Sequence, residues 1–211
     1  MRDVSIKVEP LSTRPNAAII AIGAVCFDRL TGKLGEEFYA TVTFDSAVKA
    51  GHVDGWTLQE WLAQGERTLS LLYDDGKKEP LSVALDRFNT WLRGLPGGGG
   101  TEYVWGNGAT ADITWLESAY INGCVGLRQD WHYRNVRDMR TIVDAAQVVD
   151  PAFVLPASTG TEHHALDDAR NQARAIAAAF AVLRGAAGGK RQPYTRTITT
   201  NITTTADEDP I

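Results

Sequence analysis

The sequence predicts an α/β domain built on a mixed sheet. Three apolar-patterned segments within residues 3–43 are separated by short turn-forming runs, as in an antiparallel meander. From Trp56 onward, segments with helical spacing alternate with short strand-like ones, which adds parallel strands and flanking helices. A chain of 211 residues with 44% apolar content can bury one good core. Residues 1–184 are therefore read as one domain and 185–211 as a flexible, threonine-rich tail.

The elements follow in order. Residues 3–9 alternate, with Val4, Ile6 and Val8 on one face and Asp3, Ser5, Lys7 and Glu9 on the other, the period of a strand. Residues 17–27 are almost continuously apolar, as in a central strand covered on both faces. Thr31 and Gly32 turn the chain into a third strand over 36–43. Trp56, Leu58, Trp61 and Leu62 mark a short amphipathic helix whose indoles can serve the core or a homodimer interface. Val83, Leu85, Phe88, Trp91 and Leu92 form a 3.6-residue stripe over 81–95, ended by the Pro96–Gly100 linker or turn. A strand at 102–105, a helix at 111–121, a strand at 134–136 and a helix at 139–149 come next. The last helix, from 164 to 184, carries an inward stripe of Ala165, Ala169, Ala173, Ile176, Phe180 and Leu183.

Composition excludes several classes. A formal charge of −5 argues against a surface that coats duplex DNA, though not against nucleic acid held in a small cleft. The two cysteines, Cys26 and Cys124, are far apart and lack a His/Cys cluster, so neither a disulfide framework nor a zinc site follows. No apolar run is long enough to span a bilayer, and the polar start does not read as a signal peptide. A reduced, cytoplasmic setting is the expectation. The glycine run is not followed by Gly-Lys-Ser/Thr, so it does not read as a phosphate loop.

Carboxylates and histidine recur at three separated places: Glu9 on the first strand, Asp112 after Gly106-Asn107-Gly108, and His163 with Asp168 around the start of the last helix. Hard oxygen ligands that converge from such elements suit a divalent metal site for phosphodiester chemistry. His163 and Asp168 are five positions apart, about 140° around a helix, so they can meet only if His163 precedes the helix. Taken singly, each position has a plain structural reading: a solvated strand face, a helix cap, a surface histidine.

The local contexts resemble a known family. Ser12-Thr13-Arg14-Pro15-Asn16-Ala17 followed by Ile22-Gly23-Ala24-Val25 resembles the first motif region of the DEDDh (DnaQ-like) 3′–5′ exonucleases, and is most similar to their bacterial and phage exoribonuclease-like branch. Trp105-Gly106-Asn107-Gly108 with Asp112 resembles the second motif, and Arg137-Asp138-Met139-Arg140-Thr141 the segment before the third. The run from His163 to Ala169 is similar to the third. The resemblance implies an RNase H-like fold and hydrolysis from a nucleic-acid 3′ end by two divalent ions, Mg²⁺ or Mn²⁺. By position it makes Glu9, Asp112 and Asp168 metal ligands and His163 the general base, so that Glu9 and His163 are the catalytic residues. His164 and Asp167 are the second choices. Leu11 becomes a wedge beside the terminal base, Trp105 a stacking platform, and Asn107 a further substrate contact.

Two departures bear on activity. Where the family carries Asp-x-Glu-Thr, this chain has Lys7-Val8-Glu9-Pro10. Exchanging an aspartate for a lysine changes the local charge by about two units and sets an ammonium in competition with a cation. Asp3 shares the strand face but lies roughly 13 Å away by strand rise. The sequence thus supports two readings: a metal-dependent exonuclease with weakened activity, or a pseudo-exonuclease that binds nucleic-acid 3′ ends or a protein partner without cutting. The expected partner is a single strand or 3′ overhang; no residue announces contacts to a 2′-hydroxyl, so RNA and DNA both stand.

Overall fold

The computed structural model describes residues 3–64, 69, 76–96, 103–124 and 126–186. The glycines at 97–100 and the tail from 187 onward lie outside them. Five strands form one sheet in the order β3-β2-β1-β4-β5. These are β1 (Asp3–Pro10), β2 (Ile19–Phe27), β3 (Leu34–Thr41), β4 (Tyr103–Gly106) and β5 (Val136–Asp138). β1, β2 and β3 pair antiparallel, while β4 joins β1 and β5 joins β4 in parallel. This is the predicted meander extended by parallel strands. The helices are α1 (Phe44–Ala50), α2 (Gly55–Leu62), α3 (Leu81–Gly94), α4 (Asp112–Gly123), α5 (Met139–Val149) and α6 (Ala165–Ala186).

One face of the sheet carries the main core. Val4, Ile6 and Val8 of β1 and Ile22, Ala24 and Cys26 of β2 pack with Leu85, Phe88, Leu116 and Tyr120 of α3 and α4. The other face meets α6, where Ala169, Ala173 and Ile176 pack on Val25, Phe27 and Trp105. Small side chains let that helix lie close. Gly23 shows how close: a Cβ there would stand 2.2 Å from the backbone carbonyl carbon of Ala165.

β1 alternates as the sequence predicts, with Val4, Ile6 and Val8 in the main core. Its polar face is covered by α6 and is not solvated. Asp3, Ser5 and Glu9 are buried, and Gln172 of α6 donates to the carbonyls of Ile6 (3.2 Å) and Trp105 (2.9 Å). Asp3 is spoken for there, paired with Arg29 (2.7 Å) and accepting from Trp105 Nε1 (2.8 Å). Further differences are local. α1 carries no strong stripe and was not anticipated, β3 and β5 are shifted by two residues, and α6 runs through Gly185 to Ala186. Trp61 is buried and donates to the Pro10 carbonyl (3.0 Å), whereas Trp56 is exposed. Among the described residues no helix is long and apolar enough to cross a membrane.

Candidate active site

Three chain segments build one site over the end of β1. β1 contributes Lys7 and Glu9, whose side chains fall on the face that α6 covers. Lys7 pairs across the ladder with Gly23, so the same missing side chain that admits α6 brings the helix start over Lys7. The loop after β4 turns sharply at Gly108, with φ of 124°, and delivers Asp112 at the first position of α4. Asp112 is almost fully buried and ties the segments together: Oδ1 accepts from Val8 N (3.0 Å) and Oδ2 from Asn107 N (2.8 Å). Asp168 sits in the first turn of α6.

The electrostatics centre on Lys7. Its Nζ lies 3.3 Å from Glu9 Oε1 and 3.9 Å from Asp112 Oδ1, and donates to the Val8 carbonyl at 2.6 Å. Burial pushes the Glu9 carboxyl up to about 7; the ammonium beside it opposes the rise, and Asp168 adds to it. Burial also raises Asp112 and Asp168, with Lys7 again the leading opposing charge on both. One ammonium therefore offsets three carboxylates that would otherwise repel each other in a poorly solvated place.

His163 lies in the turn before α6, as its spacing from Asp168 demands, with a left-handed backbone at φ 58°. Its ring is partly exposed, 6.2 Å between centroids from Trp61. Lys7 and His163 both line two adjoining clefts. The larger, about 680 Å³, also includes Asn107, Asp168, Asn171 and Gln172. The smaller, about 240 Å³, adds Glu9, Trp61 and Trp115. The second-choice residues have other contacts. His164 stacks on Tyr39 at 4.5 Å. Asp167 accepts from Thr161 N (2.9 Å) and from Arg170 (2.6 Å), which in turn grips Glu37.

Two of the expected substrate contacts do not stand. Leu11 is wholly buried in the main core, its amide bonded to the Ala18 carbonyl at 2.8 Å, so it offers no edge to a base. Trp105 is also buried, its ring edge-on to Phe180 at 5.9 Å and its N–H used by Asp3. The hydrophobicity that suggested stacking is consumed by the interface with α6. Asn107 does reach the larger cleft. Sequence reasoning missed Gln172 and Asn171, whose 3.6-residue position on the cleft side of α6 was the available signal. It also missed Trp115 and Tyr39, which carry none in the sequence; burial pushes the Tyr39 hydroxyl up to about 12.

The residues present do not fit a two-ion centre. Among the described residues no group of three or more His, Cys, Asp or Glu side chains is arranged to hold a metal ion. An ammonium stands at position 7, where the family's shared ligand would be, and is bonded to Glu9. Part of the charge that a cation would neutralise is already offset by Lys7.

Comparison with known proteins agrees with this architecture. A family described as the 3′–5′ exoribonuclease Rv2179c-like domain matches residues 2–180. Among solved structures, the chain is similar to an exonuclease I whose study addresses how processivity is achieved, at 14% identity and a TM-score of 0.53, covering 86% of this chain and 40% of that one. It is also similar to a moderately thermophilic exonuclease I from Methylocaldum szegediense, at 12% identity and a TM-score of 0.51, with the same coverage. The chain thus spans about 40% of the length of these structures, and the likeness fixes the RNase H-like fold. No curated protein matches.

Proposed function

We propose, since the chain belongs to the Rv2179c-like 3′–5′ exoribonuclease domain family, a group of DnaQ-like 3′–5′ exonucleases, that it acts on nucleic-acid 3′ ends as an exonuclease-type phosphodiesterase held at low activity by Lys7. The observation that carries this reading is the pairing of Lys7 with Glu9 and Asp112. Family members generally use divalent metal ions, and here an internal cation holds part of that place. The chain's own residues supply a cleft for a strand end with Asn107 and His163 on its wall, which supports Asn107 as a polar contact and His163 as the group that takes a proton from water. Glu9 and Asp168 line the clefts beside it. The openings suit a single strand or 3′ overhang rather than a blunt duplex, in keeping with the acidic net charge.

The same pairing favours a second reading, in which the cleft binds 3′ ends without cutting them. One experiment separates the two. Oligonucleotides of RNA and of DNA, labelled at the 5′ end, are incubated with the unmodified chain and Mg²⁺ or Mn²⁺. A slow ladder that shortens from the 3′ end supports the enzyme, and a gel shift without shortening supports the binder. Cleavage at internal positions, or no interaction with either polymer, overturns both.

A further inference from the structure

We infer that Arg140 is a phosphate contact for the strand that enters the larger cleft, a role that rests on the nucleic-acid reading above. Its side chain is exposed at the start of α5, immediately after Met139, which lines that cleft. It is also held in place. Nε donates to the side-chain oxygen of Asn107 (3.1 Å), the residue whose backbone amide donates to Asp112. Asp138 fastens the same corner from below, accepting from Arg140 N (2.9 Å) and from Gly108 N (3.1 Å) and bonding the Thr141 hydroxyl. The position built for a Cβ on Gly108 lies 3.7 Å from Arg140 Cζ, so the guanidinium rests on the bare backbone of the turn.

Arg140, like Arg137 and Arg174, has a neutral partner, unlike the arginines that carboxylates neutralise. Arg29, Arg87, Arg93 and Arg170 are each paired with a carboxylate. Among the described residues, Arg140 instead spends its Nε on a neutral amide, and no carboxylate lies within ion-pair distance of its guanidinium. A guanidinium held on Asn107, which lines the cleft, and without a carboxylate partner is complementary to a phosphodiester on a chain of net charge −5. Its two terminal nitrogens remain available for paired hydrogen bonds to the non-bridging oxygens of one phosphate. Through Asn107 it would sense the same turn that positions Asp112.

The test is fluorescence anisotropy with fluorescein-labelled single strands of mixed sequence, RNA and DNA, between about 50 and 200 mM salt. Arg140→Gln keeps a donor for Asn107 and removes the charge. It should weaken binding roughly three- to tenfold for every sequence and reduce the slope of log K against log salt by about 0.7. Arg140→Lys keeps the charge and should retain the slope, and both variants should melt with the unmodified chain. A merely structural role would leave the slope unmoved. Binding by the unmodified chain with the same slope in Arg140→Gln overturns this role alone, as does an Arg140→Lys slope equal to that of the glutamine variant. No binding by the unmodified chain overturns the nucleic-acid reading and this role with it.

Discussion

The ammonium of Lys7 stands 3.3 Å from the carboxylate of Glu9, which is almost wholly buried beneath the start of α6. A strand residue and its neighbour two positions on share a face, so the pair is set by the pleat of β1 and needs no long-range accident. Opposite charges about 4 Å apart interact by about 4 kcal/mol at an effective dielectric near 20, enough to compete with an incoming cation. The fold retains its nuclease architecture while the charge at position 7 is inverted relative to the family's aspartate.

Lys7→Asp should reverse that inversion. With a carboxylate there in place of the ammonium, Mg²⁺ or Mn²⁺ should bind markedly more tightly by calorimetric titration, and cleavage of a 3′-labelled oligonucleotide should rise by orders of magnitude. Without metal, the variant should melt below the unmodified chain, because four carboxylates then crowd one site. An unmodified chain that already binds two ions and cuts as fast as the variant would overturn this account of Lys7.

Lys7→Met should destabilise without gaining metal. It leaves Glu9 and Asp112 buried with no counter-charge, at a cost of about 1–3 kcal/mol near pH 8, less than for a fully buried pair because the lysine side chain is 19% exposed. The loss should shrink near pH 5, where the carboxyls take up protons. Urea unfolding at the two pH values checks both points.

Glu9 gives stability a defined pH dependence. Its folded value, about 7, lies above the ordinary 4.5, so the native state holds a proton that the unfolded chain releases. The contribution is complete below about pH 4.5 and is lost as pH rises through about 7. Burial raises Asp112 and Asp168 in the same sense. Glu9→Gln should therefore be more stable than the unmodified chain by about 1–3 kcal/mol near pH 8 and close to it near pH 5. A melting-temperature profile in metal-free buffer, flatter for the variant, is the expected result.

Gly23→Ala should undo the approach of α6. The new Cβ would stand 2.2 Å from Ala165 C and 2.3 Å from Leu166 N, both backbone atoms that cannot rotate away. A cost of at least about 3 kcal/mol follows, with Asp168 displaced from Glu9 if the chain still folds. Gly55→Ala, where nothing lies within 4 Å, should be neutral or slightly stabilising. Equal melting temperatures for the two variants would show that the helix does not dock as closely as described.

His163 combines strain with its proposed role. A left-handed backbone at φ 58° costs a non-glycine residue about 1–2 kcal/mol, so His163→Gly should stabilise the fold slightly. Placed in the Lys7→Asp background, the same change should lower cleavage by about 10²- to 10⁴-fold. A glycine variant that cuts as well as its parent would remove His163 from the chemistry.

The sequence by itself determined the fold class and the chemical vocabulary of the site. Strand and helix periods are written in local residue order: the meander of β1 to β3 and the stripes of α3 and α6 could be read from spacing, while resemblance to the exonuclease motifs singled out Glu9, Asp112, His163 and Asp168 as candidates. It also exposed Lys7, because a charge reversal stands out within a motif of otherwise familiar residues. Tertiary structure alone decided what the side chains face. Alternation in β1 said which residues share a side, but not that α6 covers the polar one; that depends on Gly23 meeting Ala165 across 142 positions of chain. The same limit put Leu11 and Trp105 in the cleft when packing had taken them into the core. It also hid Arg140, whose meaning comes from Asn107 beside it in space and from the carboxylate it does not meet. Periodicity is a property of neighbours along the chain, whereas desolvation and charge pairing belong to neighbours across it.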